Sequence, residues 1–204
     1  MEKEITKYLQ SNKDSEYYKD KPGVFHASSC GLCPRLIFLS RIKPTEETID
    51  TKKIYLIGDI FHKFCEENLF KGYQTEQKIE YDNSEFKIIG KVDAYNETEV
   101  IDFKTCKDTK YLYEPKIENV IQLNVYMKIL GLNTGRLIYI GKQDFKIKEF
   151  HISYDESMFK ETEAKLRFIN NKLKENASFE EINIEPSQLC FWCKYKGLCF
   201  PKQY

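Results

Sequence analysis

The sequence has no net charge. Its 32 lysines and arginines are matched by 32 aspartates and glutamates, so no global field draws in a polyanion, and only a local patch or bound cations could supply one. It also lacks any run of about 18 apolar residues, which leaves no candidate for a membrane-spanning helix. The opening stretch MEKEITKYLQSNKD is charged and has no apolar signal core, so a cytoplasmic protein without a membrane partner is expected. Internal repeats and low-complexity segments are missing as well.

What is present suits one folded unit. The chain has 204 residues, 41% of them hydrophobic and 31% charged, enough for a single core under a heavily charged surface. A short helix and a Gly/Pro-containing connection, DKPGVFHASS, are expected within the first 29 residues. The stretch CPRLIFLSRI, 33–42, has helical spacing, with Pro34 at its first turn. Residues 43–53 are polar and read as a loop or the lead-in to the next helix. In 54–72, Ile54, Ile57, Phe61, Phe64, Cys65 and Phe70 fall on one helical stripe that Gly72 ends. The period then changes. YQTEQKIEY, FKIIGKVDAY and EVIDFKTC read as three strands joined by turns. A helix over 117–131, two more strands over 134–143 and 145–153, and a charged helix over 154–176 follow. This order predicts an α/β fold with a mixed central sheet.

Two of those strands carry charges that are costly to bury. Asp93 lies on FKIIGKVDAY, and Asp102 and Lys104 share a face of EVIDFKTC. In an antiparallel hairpin the two carboxylates would lie a few ångströms apart, and their repulsion is relieved by a cation between them. Mg²⁺ suits one or two carboxylates with phosphate and water. The plain alternative is an amphipathic hairpin with a surface salt bridge. Company alters the balance: His62 lies one turn after Gly58 on the preceding helix, and Gln122 and Tyr126 form an i, i+4 pair on the following one.

In this order, GxxxH, GxxD, DxK and QxxxY resemble the motifs of the PD-(D/E)XK nuclease superfamily, in its RecB-type branch, over about residues 54–130. The resemblance implies a restriction-endonuclease-like core. It implies that His62, Asp93 and Asp102 bind a catalytic Mg²⁺ or Mn²⁺, that Lys104 assists catalysis with Asp93 and Asp102, and that Gln122 and Tyr126 contact the substrate strand. An acidic residue often precedes the GxxD strand in that family, and Glu76 and Glu80 are both candidates. Lys91, Lys107 and Lys110 could supply a local positive field.

Seven cysteines, an odd number, are read as thiols or metal ligands rather than disulfides. Cys190, Cys193 and Cys199 fall within ten residues, a spacing that points to zinc or an iron–sulfur cluster, zinc being the commoner. A fourth ligand must come from elsewhere. The tail is similar to that of the iron–sulfur subgroup of RecB-type nucleases, which includes the small CRISPR-associated exonucleases of the fourth Cas family. There an N-terminal cysteine in a Cys-Pro-Arg element completes a [4Fe–4S] cluster. Cys33 in CPRLIF fits, and Cys30 competes. Residues 1–204 are thus expected as a single nuclease domain, with a core over about 54–150 and chain ends, 28–42 and 177–204, joined by a Cys-ligated cluster. Cys65 and Cys106 read as buried apolar side chains. Phe191, Trp192 and Tyr195 are expected to shield the cluster rather than to stack on bases.

The implied activity is metal-dependent hydrolysis of DNA, by resemblance single-stranded. No helicase motif is present, so if strand separation is needed a partner must supply it, a helicase or other recombination or CRISPR adaptation proteins being the candidates. The competing reading is a non-catalytic nucleic-acid-binding protein with structural zinc at its cysteine ends.

Overall fold

The structure, a computed structural model, describes residues 2–11 and 22–200. The connection expected over 20–29 starts within residues 12–21, which lie outside the described residues. The elements are α1 (Glu2–Ser11), β1 (Val24–His26), α2 (Pro34–Ile42), α3 (Ile49–Asn68), β2 (Gln74–Asp82), β3 (Lys87–Tyr95), β4 (Val100–Cys106), α4 (Ile117–Leu130), β5 (Thr134–Gly141), β6 (Ile147–Ser153), α5 (Glu156–Lys174) and α6 (Lys196–Cys199). No helix among the described residues is long and apolar enough to cross a membrane.

The expected α/β arrangement is present as a mixed six-stranded sheet with helices on its faces. β3 organises it. One edge of β3 pairs antiparallel with β2 from Gln74↔Tyr95 to Asp82↔Lys87. The other edge is shared: β1 pairs in parallel with residues 87–89, and β4 pairs antiparallel with only Ala94 and Tyr95. Residues 90–93 therefore face a split in the sheet. Beyond it, β4 and β5 run parallel, and β6 closes the edge antiparallel to β5.

Alternation along β4 and β5 sorts side chains between two cores. Val100, Leu137 and Tyr139 join the main core with α4 and α5, whereas Ile101, Phe103, Ile138 and Ile140 face Cys65 and Phe61 of α3. Helix α4 lies within the main core, and its residues 122–127 are buried without a break.

Helix α3 is entered within the polar stretch 43–53, as one of its two readings had it: it begins at Ile49, because the Thr48 hydroxyl accepts the Thr51 N–H at 3.2 Å and caps it. Its apolar stripe is mostly unburied: Ile54, Ile57 and Phe64 are exposed, and Cys65 is the only buried residue of the helix. A 20-residue helix spans about 30 Å, and its apolar contact with the sheet is made by the turn around Phe61 and Cys65.

Candidate active site

The predicted aspartates meet where the sheet splits. Ala94↔Ile101 and Tyr95↔Val100 set a register in which Asp93 would stand opposite Asp102, but the ladder stops at Ala94. The strands part, and Asp93 Oδ2 fills the gap by accepting the Phe103 backbone N–H at 2.7 Å. The other edge is irregular at the same level. The β2 ladder passes from Thr75↔Ala94 to Gln77↔Val92 and leaves out Glu76, which would face Asp93. Glu76 has φ of 58°, an uncommon left-handed conformation for a residue with a side chain. Local irregularity of this kind gathers at functional sites.

Gly90, three residues before Asp93, permits a close approach. A Cβ there would lie 3.0 Å from both Ala27 Cβ and Tyr126 Cε1. From the opposite side α3 brings His62, whose Nδ1 is 3.4 Å from Asp93 Oδ1. Glu66 follows one turn later, and ligand atoms of His62, Glu66 and Asp93 all lie within 4.8 Å of one another. Glu66 Oε1 is buried without a hydrogen-bond partner among the described residues. An imidazole and two carboxylates at this spacing form a donor set for a hard divalent cation.

Asp102 is 1% exposed. Its Oδ1 accepts from Gln122 Nε2 at 3.3 Å. Its Oδ2 has no partner among the described residues beyond the Lys104 ammonium, 2.7 Å away. Gln122 Nε2 also donates to the Tyr126 hydroxyl at 2.8 Å, and that hydroxyl donates to the Lys91 carbonyl at 3.0 Å.

These contacts set the charges. Burial pushes the Asp102 carboxyl up to about 6, against the pull of Lys104. For Asp93 burial acts upward too, but the His62 contact, Lys104 and the Phe103 N–H outweigh it and hold the carboxyl below its ordinary value. Burial would lower His62 and Lys104; the carboxylates beside them overcome it and raise both. Glu66 is pushed up to about 7 by burial, then by the Glu76 and Asp93 carboxylates. A cation among these oxygens would stabilise the ionised forms.

The structure thus brings His62, Asp93, Asp102 and Lys104 together. Asp102 stands outside the tight His62–Glu66–Asp93 group, tied instead to Lys104. Gln122 and Tyr126 share a face as expected, but both are buried and bonded to Asp102 and the β3 backbone instead of projecting toward a substrate strand. The reason is that this face of α4 lies on the sheet, against Asp102 of β4 and the Lys91 carbonyl of β3. Glu66 escaped the sequence reading; its one signal was the i, i+4 spacing from His62 in HKFCE. Of the two acidic candidates, Glu80 pairs with Lys87 at 2.6 Å in the exposed part of the hairpin. Glu76 adjoins the site through Glu66 and also pairs with Lys91.

A second feature lies at the chain ends. Cys33, the N-cap residue of α2, shares with Cys190, Cys193 and Cys199 the lining of a pocket of about 240 Å³. Cys30 is turned away from it, fully buried, with Sγ donating to the His26 carbonyl at 3.5 Å and its thiol pushed up to about 12 by burial. Cys65 is buried as expected. Cys106 is only half-buried, its thiol donating to the Asp108 carbonyl at 3.1 Å. Of the three aromatics expected to shield the pocket, only Tyr195 packs inward, with its hydroxyl donating to the Lys43 carbonyl at 2.7 Å. Trp192 is 84% exposed and Phe191 about half exposed. They stand on the short 3₁₀ turn Gln188–Trp192, none of whose residues is buried.

The sequence profile of the PD-(D/E)XK nuclease superfamily matches residues 56–200, well over half of the chain. The CRISPR-associated exonuclease Cas4 of Saccharolobus solfataricus is 25% identical over 166 residues, 73% of this chain and 79% of that protein. Among solved structures, that of SSO0001 superposes with a TM-score of 0.70 at 20% identity, covering 100% of this chain and 98% of that one. The alkaline exonuclease LHK-Exo of Laribacter hongkongensis superposes with a TM-score of 0.57 at 15% identity, over 81% of this chain and 94% of that one. At such identities the structural likeness establishes the fold, and the profile match, spanning the split-sheet site and the cysteine tail, establishes the family. The chain belongs to the PD-(D/E)XK nuclease superfamily and is a divalent-metal-dependent DNA nuclease.

Proposed function

We propose that this nuclease hydrolyses single-stranded DNA at the split between β3 and β4, and that a [4Fe–4S] cluster joins its chain ends. The carrying observation is the His62–Glu66–Asp93 group, with ligand atoms within 4.8 Å and one buried carboxylate oxygen left without a hydrogen-bond partner among the described residues. In this reading these three residues hold Mg²⁺ or Mn²⁺, and Asp102 and Lys104 flank it. The cation would polarise the scissile phosphate and lower the pKa of an attacking water.

The chain's own residues do the rest. The Phe103 N–H occupies one oxygen of Asp93 and leaves Oδ1 turned toward His62. Gln122 and Tyr126 act as positioning residues: they fix Asp102 Oδ1 and are themselves anchored on the Lys91 carbonyl. Asp102 holds the Lys104 ammonium in place and charged, ready to oppose negative charge developing on the phosphate.

For the chain ends, the donor set fits the cluster. Four thiols line one pocket, the Cys₄ ligation that a [4Fe–4S] cluster requires. The single-strand preference is what the resemblance to RecB-type nucleases implies, and exposed aromatic rings, on which unpaired bases can stack, are consistent with it.

The test is cleavage of end-labelled single strands with Mg²⁺ or Mn²⁺. Lys104→Ala and Asp102→Ala should lose activity while keeping the far-UV spectrum of the wild type. Undiminished cleavage by either variant would refute the assignment. Iron and sulfide near four per chain support the cluster; stoichiometric zinc refutes it.

A further inference from the structure

The loop that joins β4 to α4 has no part in the site described above, yet its construction is specific. In Tyr111-Leu112-Tyr113, Leu112 turns inward against the main core, and its N–H donates to the Thr109 carbonyl at 3.2 Å. Thr109 is buried. The flanking tyrosines are thereby driven outward, Tyr111 to 69% exposure and Tyr113 to 75%. Each ring carries an ammonium group: Lys110 Nζ is 5.1 Å from the Tyr111 centroid, and Lys148 Nζ of β6 is 5.4 Å from that of Tyr113.

The sheet register locates this pair of rings relative to the site. Lys104 pairs with Tyr139 of β5, and Tyr139 with Lys148 of β6, so the three side chains stand in one row on one face. The loop is pinned to the middle of that row, where the Lys116 N–H donates to the Tyr139 hydroxyl at 3.1 Å. Two interstrand spacings separate Lys104 from Lys148, about 10 Å. That is the rise of about three stacked nucleotides at 3.4 Å each.

We propose that Tyr111 and Tyr113, with Lys110 and Lys148, form a stacking platform for unpaired bases of the strand whose phosphate lies at Lys104. This rests on the reading of the site as a nuclease for single strands and adds the place where the strand is held. Charge favours a nucleic acid as occupant. Residues 107–116 and 142–148 carry six lysines against three acids, in a chain whose total charge is zero. A base lying on either ring would bring its phosphate beside a lysine, the combination used in sequence-tolerant single-strand binding. A duplex, its bases already stacked and paired, gains nothing from the rings.

The test uses the full chain with Ca²⁺ in place of Mg²⁺ and a fluorescent oligothymidylate of about 20 nucleotides, longer than one binding site. Removing both rings, Tyr111→Ala with Tyr113→Ala, should weaken binding at least about 25-fold, about fivefold for each stacked base lost. Tyr111→Phe with Tyr113→Phe keeps both faces and should bind within about twofold of the wild type. Lys110→Ala and Lys148→Ala should each flatten the salt dependence by about 0.7 in log–log slope. Unaltered binding by the alanine pair overturns the platform, as does an equal loss in the phenylalanine pair. The two readings fail separately. Tyrosine-dependent binding with no cleavage in Mg²⁺ retains the platform and sinks the nuclease assignment, whereas cleavage with tyrosine-independent binding does the reverse.

Discussion

Replacing Asp102 by asparagine should abolish cleavage and yet make the metal-free protein more stable. The carboxylate is fully buried, one oxygen has, among the described residues, only the Lys104 ammonium for company, and burial raises its pKa from 3.8 to about 6. In the unfolded chain the group ionises at its ordinary value. Between about pH 4 and pH 6 the folded state therefore holds a proton that the unfolded state has released, and stability falls as pH rises through that window. Above about pH 6 the deficit is complete. The rise from 3.8 to about 6 corresponds to about 3 kcal/mol, with the attraction of Lys104 already included in it. Asparagine copies the protonated shape without the charge, so Asp102→Asn should gain about that amount at pH 8 and almost nothing at pH 4. For a chain of this length that is about 6–12 °C in Tm. Thermal unfolding of both proteins in EDTA at the two pH values measures it. Adding Mn²⁺ should narrow the gap, because the Asp102 carboxylate flanking the site favours the cation in the wild type and the asparagine does not. A variant no more stable than the wild type at pH 8, or one whose gain persists at pH 4, refutes the account of Asp102 as a charge awaiting a cation.

Three further outcomes follow from the same geometry. Glu66→Gln should weaken Mn²⁺ binding at least about tenfold by calorimetry; because Glu66 holds its proton up to about pH 7, wild-type metal uptake should decline below that pH, and the variant should lose this part of the dependence. Cys33→Ser should purify without iron, whereas Cys30→Ser, whose thiol points away from the cysteine pocket, should retain it. Gly31→Ala should destabilise the fold by about 2 kcal/mol or more in urea unfolding, since its Cβ would collide with the Glu118 Cα and carbonyl oxygen, backbone atoms that cannot swing aside.

Much of the secondary structure was legible because it rests on local period. The hairpin of β2 and β3, the strand carrying Asp102 and Lys104, and the buried helix α4 all announce themselves by spacing and turn residues. β1 did not: three residues, VFH, carry no period, and only its parallel pairing with β3 makes it a strand. That omission hides the most consequential feature of the sheet. Without β1 on the near edge of β3, residues 90–93 read as one side of an ordinary hairpin rather than as the wall of a split. The facing of Gln122 and Tyr126 was legible, but not their burial, which depends on the fold laying that face of α4 on Asp102 of β4 and the Lys91 carbonyl of β3. Trp192 among cysteines suggests a buried shield, but a five-residue 3₁₀ turn has too little inner face to bury it.

The split also explains how the fold tolerates its charges. A continuous β3–β4 ladder would set Asp93 directly across from Asp102 at a Cα separation of about 4.5–5.5 Å, two carboxylates with no donor between them. Parting the strands gives each its own partners: Asp93 takes a backbone N–H and His62, and Asp102 takes Lys104 and Gln122. The lost ladder hydrogen bonds are offset by these contacts, and α3 gains an opening through which His62 and Glu66 reach β3. Closing the split with a longer hairpin pairing would thus destabilise the sheet as well as destroy the site, because the same four contacts serve both.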